Sequence, residues 1–180
     1  MGERRGVSPV IATVLLLILT IVAVSILAVF IIPFVKDSLG GSKGCFDVLG
    51  DIRFDSESRY ACSYGNATGN MTGFSVRVDS EEIIGFSLTL FKQGSANSYR
   101  IENGTTAPNV VGSIRMLDEN FNEPITVPTS GGLRTYVAKG IFERAEINPI
   151  LRSGKQCNAQ EAITFETCTD RTAIDALFRY

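Results

Sequence analysis

Two patterns of apolar residues divide this chain. From Val7 to Val35 no side chain is charged, and Lys36 and Asp37 close the run. As a helix, the 26 residues from Val10 to Val35 would span about 39 Å. A bilayer core needs about 20 residues, so the run is long enough to cross and project beyond it. Ser8-Pro9 opens the helix, because a first-turn proline lacks only an N–H that had no partner. Thr13, Thr20 and Ser25 can return their hydroxyls to the preceding turn, which makes them inexpensive in lipid. Ala12, Ala23, Ser25 and Ala28 allow close approach of another helix. Pro33 is expected either as a kink at the membrane interface or as a hinge.

Beyond Gly40-Gly41-Ser42-Lys43-Gly44, which reads as a flexible linker, the period becomes two. Phe74, Val76 and Val78 alternate with Ser75 and Arg77, and Phe86, Leu88 and Leu90 with Ser87 and Thr89. Leu133, Thr135 and Val137 repeat the pattern, as do Ile163, Phe165 and Thr167. Less regular strand candidates are 46–54, 59–64, 110–116 and 141–151. Turn-forming breaks are expected at Gly65 to Gly73, Gly94 to Asn97, Asn103-Gly104 and Pro128 to Gly132. Short strands between such breaks predict an antiparallel β-sandwich or barrel. Within this part of the chain, a helix is expected only at Thr172 to Tyr180.

Composition then narrows the function. The chain has 180 residues and a net charge of −2. The part after residue 36 is acidic and long enough for one domain with its own core. No basic patch marks a nucleic-acid partner. Histidine is absent, which removes the commonest acid–base residue and metal ligand. No phosphate-binding Gly loop, nucleophile motif or metal-ligand spacing is present. The carboxylates Asp79, Glu81 and Glu82 read as a solvated edge, and Asp118-Glu119-Asn120 lacks the ligand spacing of a calcium loop. No cofactor and no catalysis are expected.

Cys45, Cys62, Cys157 and Cys168 form no Cys-x-x-Cys pair, and three Asn-x-Thr sequons occur at Asn66, Asn70 and Asn103. Beside an apolar anchor, they point to an oxidising exterior with disulfides and N-glycans. Four cysteines allow three pairings. If Gln160 to Cys168 is one strand, Cys157 and Cys168 lie about 30 Å apart, too far to pair. Bridges from early to late strands are expected instead.

The apolar run is too long for a removable secretory signal and has no small-residue cleavage motif at its end. Arg4 and Arg5 at its start place the N-terminus in the cytoplasm by the positive-inside bias, so a permanent single-pass anchor with an outward head satisfies the pattern. The run Arg4-Arg5-Gly6-Val7-Ser8-Pro9-Val10-Ile11-Ala12-Thr13-Val14-Leu15-Leu16 also resembles the start of archaeal type IV pilins and their relatives, which carry a class III signal peptide. That resemblance covers about 30 residues. It implies cutting by a prepilin peptidase between Gly6 and Val7, with Arg4 and Arg5 recognised at the cytoplasmic surface. Many pilins carry glutamate at the fifth mature residue. Here that position is Ile11, so their helix-docking contact is not implied.

The expected organisation is a class III signal peptide (1–6), a transmembrane and filament-core helix (7–36), a linker (37–44) and an extracellular head (45–180). The expected fold class is α+β: a long N-terminal α-helix followed by an all-β antiparallel sandwich, Ig-like or pilin-like. The resemblance implies a structural subunit, held in the cell membrane as a precursor and displayed in an extracellular filament when mature. Its partners would be further copies of itself, the prepilin peptidase, the pilus assembly machinery and membrane lipid, with a role in adhesion. The alternatives are an archaellin or a permanently anchored cell-surface binding protein.

Overall fold

A computed structural model describes residues 9–158 and 161–180. The chain divides into two compact units between Lys43 and Gly44. The fold class is α+β, an N-terminal apolar helix followed by a mostly β domain of antiparallel sheets.

Helix α1 spans Pro9–Asp47. It does not stop near Lys36, but continues through the segment expected as a linker. Each helical glycine costs about 1 kcal/mol relative to alanine, and the far end is held in compensation. Cys45, in the last turn, is bonded to Cys157, and the following Val48 is 2% exposed. Gly44 sits against the head: a Cβ there would lie 3.2 Å from Leu151 Cδ1. The strand expected over 46–54 is therefore confined to its last three residues.

Among the described residues, the head holds ten strands and two short helices. In chain order they are β1 (Ile52–Phe54), β2 (Cys62–Asn66), β3 (Gly69–Val78), β4 (Ile83–Lys92), β5 (Ser95–Glu102), α2 (Pro108–Val111), β6 (Ile114–Met116), β7 (Gly132–Lys139), β8 (Arg144–Leu151), β9 (Glu161–Thr164), β10 (Glu166–Thr167) and α3 (Arg171–Leu177). One sheet runs β10-β2-β3-β7-β6, with β1 beside the far half of β3. The other runs β5-β4-β8-β9. Every pair is antiparallel except β10 with β2.

The alternating residues of β3, β4 and β7 explain this layering, since each strand has an apolar face to bury. Phe74, Val76 and Tyr136 from the first sheet meet Phe86, Leu88 and Ile147 from the second in one core. The Phe86 and Tyr136 rings cross between the sheets at 5.7 Å, edge to face, a geometry that rings favour. β5 completes the second sheet. Its exposed, polar Ser95–Ser98 half conceals the strand period in the sequence.

Helix α3 covers the outer face of the first sheet. Asp170 caps it by accepting the Thr172 N–H at 2.9 Å, and Leu177 packs with Val137, Cys62 and Cys168. The approach is close enough to require glycine at position 73. A Cβ there would lie 2.4 Å from the Tyr60 carbonyl oxygen and 2.7 Å from Leu177 Cδ2.

Candidate functional site

Among the described residues, an uncovered apolar surface runs along α1 from Ile11 to Val29. Ile11–Val29 is long and apolar enough to cross a membrane, and none of it is buried within the chain. Its apolar residues do not form one stripe: Leu15, Leu16 and Leu17 are consecutive and lie 59%, 67% and 59% exposed. Thirteen large apolar residues between Ile11 and Val29 are exposed. At about 1.5 kcal/mol each, leaving them in water costs on the order of 20 kcal/mol. That exceeds the whole stability of an ordinary domain, about 5–15 kcal/mol, so lipid or protein must cover the helix. The hydroxyls of Thr20 and Ser25 make no demand on that cover. Thr20 Oγ1 donates to the Leu17 carbonyl and Ser25 Oγ to that of Ile21, both at 2.8 Å.

Two disulfides brace the head. Cys45 pairs with Cys157, Cα atoms 5.5 Å apart, and Cys62 with Cys168, 5.0 Å apart. Cys157 and Cys168 are not joined to each other. Their chain sections bind different parts of the head: Cys157 N–H donates to the Pro149 carbonyl, and Cys168 N–H to that of Ser63. Two disulfides fit an oxidising compartment.

Asn66, Asn70 and Asn103 are all exposed. Asn66 and Asn70 belong to one hairpin, where Gly65 faces Asn70 and Asn66 faces Gly69. The loop expected from Gly65 to Gly73 is thus only the turn Ala67-Thr68. Strand pairing with β2 and β7 overrides the loop-like composition. Asn103 begins the turn that follows β5, and its Oδ1 accepts the Val127 N–H at 2.7 Å. The expected peptidase residues Arg4, Arg5, Gly6 and Val7 lie outside the described residues.

The carboxylates take structural or solvated places. Asp79 pairs with Arg53 at 2.8 Å, and Glu81 and Glu82 are exposed in the turn before β4. Asp118, Glu119 and Glu123 line an open groove with Thr126 and Arg134. Among the described residues, no three His, Cys, Asp or Glu side chains gather to hold a metal.

Sequence reading missed Arg115. Between Ile114 and Met116 it has the position of a solvent-facing residue, yet it is fully buried. Its guanidinium donates to the carbonyls of Met116, Leu117, Glu119 and Leu177, and lies near the Phe121 and Tyr180 rings. Burial lowers its pKa, partly opposed by Asp118 and Tyr180. The group ties the end of α3 to the turn after β6. No protein-family model, curated protein or solved structure matches the chain.

Proposed function

We propose that the protein is a structural subunit of an extracellular type IV pilus-like filament. It is made as a membrane-inserted precursor, cut after Gly6 and assembled through α1. The observation that carries this reading is the helix from Ile11 to Val29, apolar on consecutive positions and with none of its residues buried. It has one suitable environment as a precursor, the bilayer, and an equivalent one in a bundle of like helices. Transfer between the two yields little hydrophobic energy, because both are apolar, so side-chain packing decides stability. The two-sheet head serves as the pilin-like surface domain. Its two bridges suit an exposed life outside the cell, in contact with surfaces or neighbouring subunits. The subunit performs no chemistry of its own.

N-terminal sequencing and intact mass of the protein from its native envelope test this reading. A mature chain beginning at Val7 is expected, and electron microscopy of shed material should show filaments. An intact start in every copy defeats it. A bulky residue in place of Gly6 should block maturation. The internal bonding of Thr20 and Ser25 favours the second reading, a permanently anchored single-pass surface protein. Such a helix is content in lipid alone, and that protein would retain Arg4 and Arg5.

A further inference from the structure

We propose that Asn66 accepts an N-linked glycan on the folded head, and that Asn70 and Asn103, which share its motif, do not. The motif is defined by an asparagine and a hydroxyl two residues on. A transferase must therefore reach both groups, and the three sites differ in the second.

At Asn66 both groups stand on the surface. Asn66 ends β2, Gly69 begins β3, and Ala67-Thr68 forms the exposed turn. Asn66 Oδ1 accepts the backbone N–H groups of Thr68 at 2.8 Å and Gly69 at 3.1 Å, and the Thr68 hydroxyl at 2.5 Å. Backbone N–H groups only donate, so the atom facing them is the oxygen. The Nδ2 amide, the atom that takes the sugar, is directed away from the turn. Thr68 is exposed and its hydroxyl touches its own asparagine. Nothing in the fold has to open.

At Asn70 the hydroxyl is out of reach. Thr72 is fully buried. Its Oγ1 donates to the Gly140 carbonyl at 2.8 Å, accepts the Phe142 N–H at 3.2 Å, and lies 2.8 Å from Ser63 Oγ. Exposing it means parting β3 from the 140–142 segment. The Asn70 side chain itself lies across Gly65, where a Cβ would stand 2.4 Å from its Oδ1. At Asn103 the hydroxyl is committed as well. Thr105 Oγ1 donates to the Glu102 carbonyl at 2.7 Å and accepts the Glu102 N–H at 2.9 Å, while Asn103 Oδ1 holds Val127. These two threonines serve the backbone.

The transfer joins Asn66 Nδ2 to the anomeric carbon of a lipid-phosphate-linked sugar. The bond from that carbon to the phosphate oxygen breaks, and its electron pair leaves with the lipid phosphate. Nδ2 gives up one proton to a base of the transferase. Nothing is oxidised or reduced. The inference rests on the outward-facing head of the proposed function, though not on cleavage or polymerisation.

The test uses full-length unglycosylated protein in detergent, mixed with solubilised source-cell membranes that supply transferase and lipid-linked sugar. One portion is folded; the other is reduced, alkylated and unfolded. Glycopeptide mass spectrometry should find sugar at Asn66 alone in the folded portion and at all three asparagines in the unfolded one. Thr68→Val, which changes only an exposed turn residue, should abolish the folded-state product. Sugar at Asn70 or Asn103 of the folded protein overturns the proposal, as does an unmodified Asn66 there. Because no membrane insertion or assembly is involved, failure here is separable from failure of the filament reading, which N-terminal sequencing decides alone.

Discussion

Removing the Cys62–Cys168 bridge from the isolated head (44–180), by Cys62→Ala with Cys168→Ala, should cost different amounts in two backgrounds. Taken alone, the bridge spans a sequence separation of 106. The chain-entropy relation then gives about 4.8 kcal/mol at 25 °C. The other bridge changes this. With Cys45 already tied to Cys157, Cys62 and Cys168 are connected through two short stretches, 45–62 and 157–168. The long 62–157 segment acts in parallel. The effective loop falls to about 25 residues, and the cost to about 3.5 kcal/mol. Urea unfolding followed by circular dichroism measures both values, first with Cys45–Cys157 intact and then with those cysteines also replaced by alanine. The expected difference, a little over 1 kcal/mol, arises from the unfolded chain and not from any contact in the head. Each Cys→Ala pair also removes the same buried sulfurs from the cluster with Val137 and Leu177, so packing losses cancel between backgrounds. Equal costs in the two backgrounds, or a larger cost with the partner bridge intact, would refute the reasoning.

Three further outcomes follow from buried groups. Burial raises the Tyr136 pKa, with a smaller opposing effect from Arg134. The folded state thus holds its proton where the unfolded chain releases it. That stability is complete below about pH 10 and should decline by about 1.4 kcal/mol per pH unit above it. Tyr136→Phe should flatten this alkaline slope in pH-dependent melts, while costing about 1–2 kcal/mol at neutral pH for the lost bond to the Thr126 carbonyl. Arg115→Met should destabilise the head by about 3 kcal/mol or more, because it leaves carbonyls of Leu117, Glu119 and Leu177 without a donor; amide exchange in α3 should rise before the core strands respond. Gly73→Ala should cost at least about 2 kcal/mol through overpacking against the Tyr60 carbonyl, and wild-type stability in a urea melt would contradict it.

Much of the architecture was legible because it depends on period. The alternation at Phe74–Val78 and Phe86–Leu90 reports a half-buried pleated surface, and β3 and β4 lie there. β7 also lies where Leu133–Val137 places a strand, but there the alternation marks the outer face, with Leu133 exposed and Tyr136 and Ala138 turned to the core. Where residues were polar for another reason, the pattern failed. β5 has an exposed, polar half because it is an edge strand. Asn66 to Asn70 read as loop because a hairpin tip has the same composition. The helix runs past its glycines for an energetic reason: Gly40, Gly41 and Gly44 are tolerable once Cys45 is bonded and Val48 buried.

By itself, the sequence determined that a membrane-length apolar helix precedes a β-rich head with four cysteines and three sequons, because length, period and residue identity are local quantities. Only the tertiary structure decided which cysteines pair, since pairing requires Cα atoms within about 7 Å across separations of 112 and 106 residues. It also decided that Arg115 is buried, because α3 and the turn after β6 close over an outer sheet face that alternation alone leaves open. The sequons show the same division. Three identical motifs are equivalent along the chain; they become unequal because Thr72 is enclosed by the 140–142 segment, Thr105 bonds the Glu102 backbone and Thr68 stays exposed beside its own asparagine.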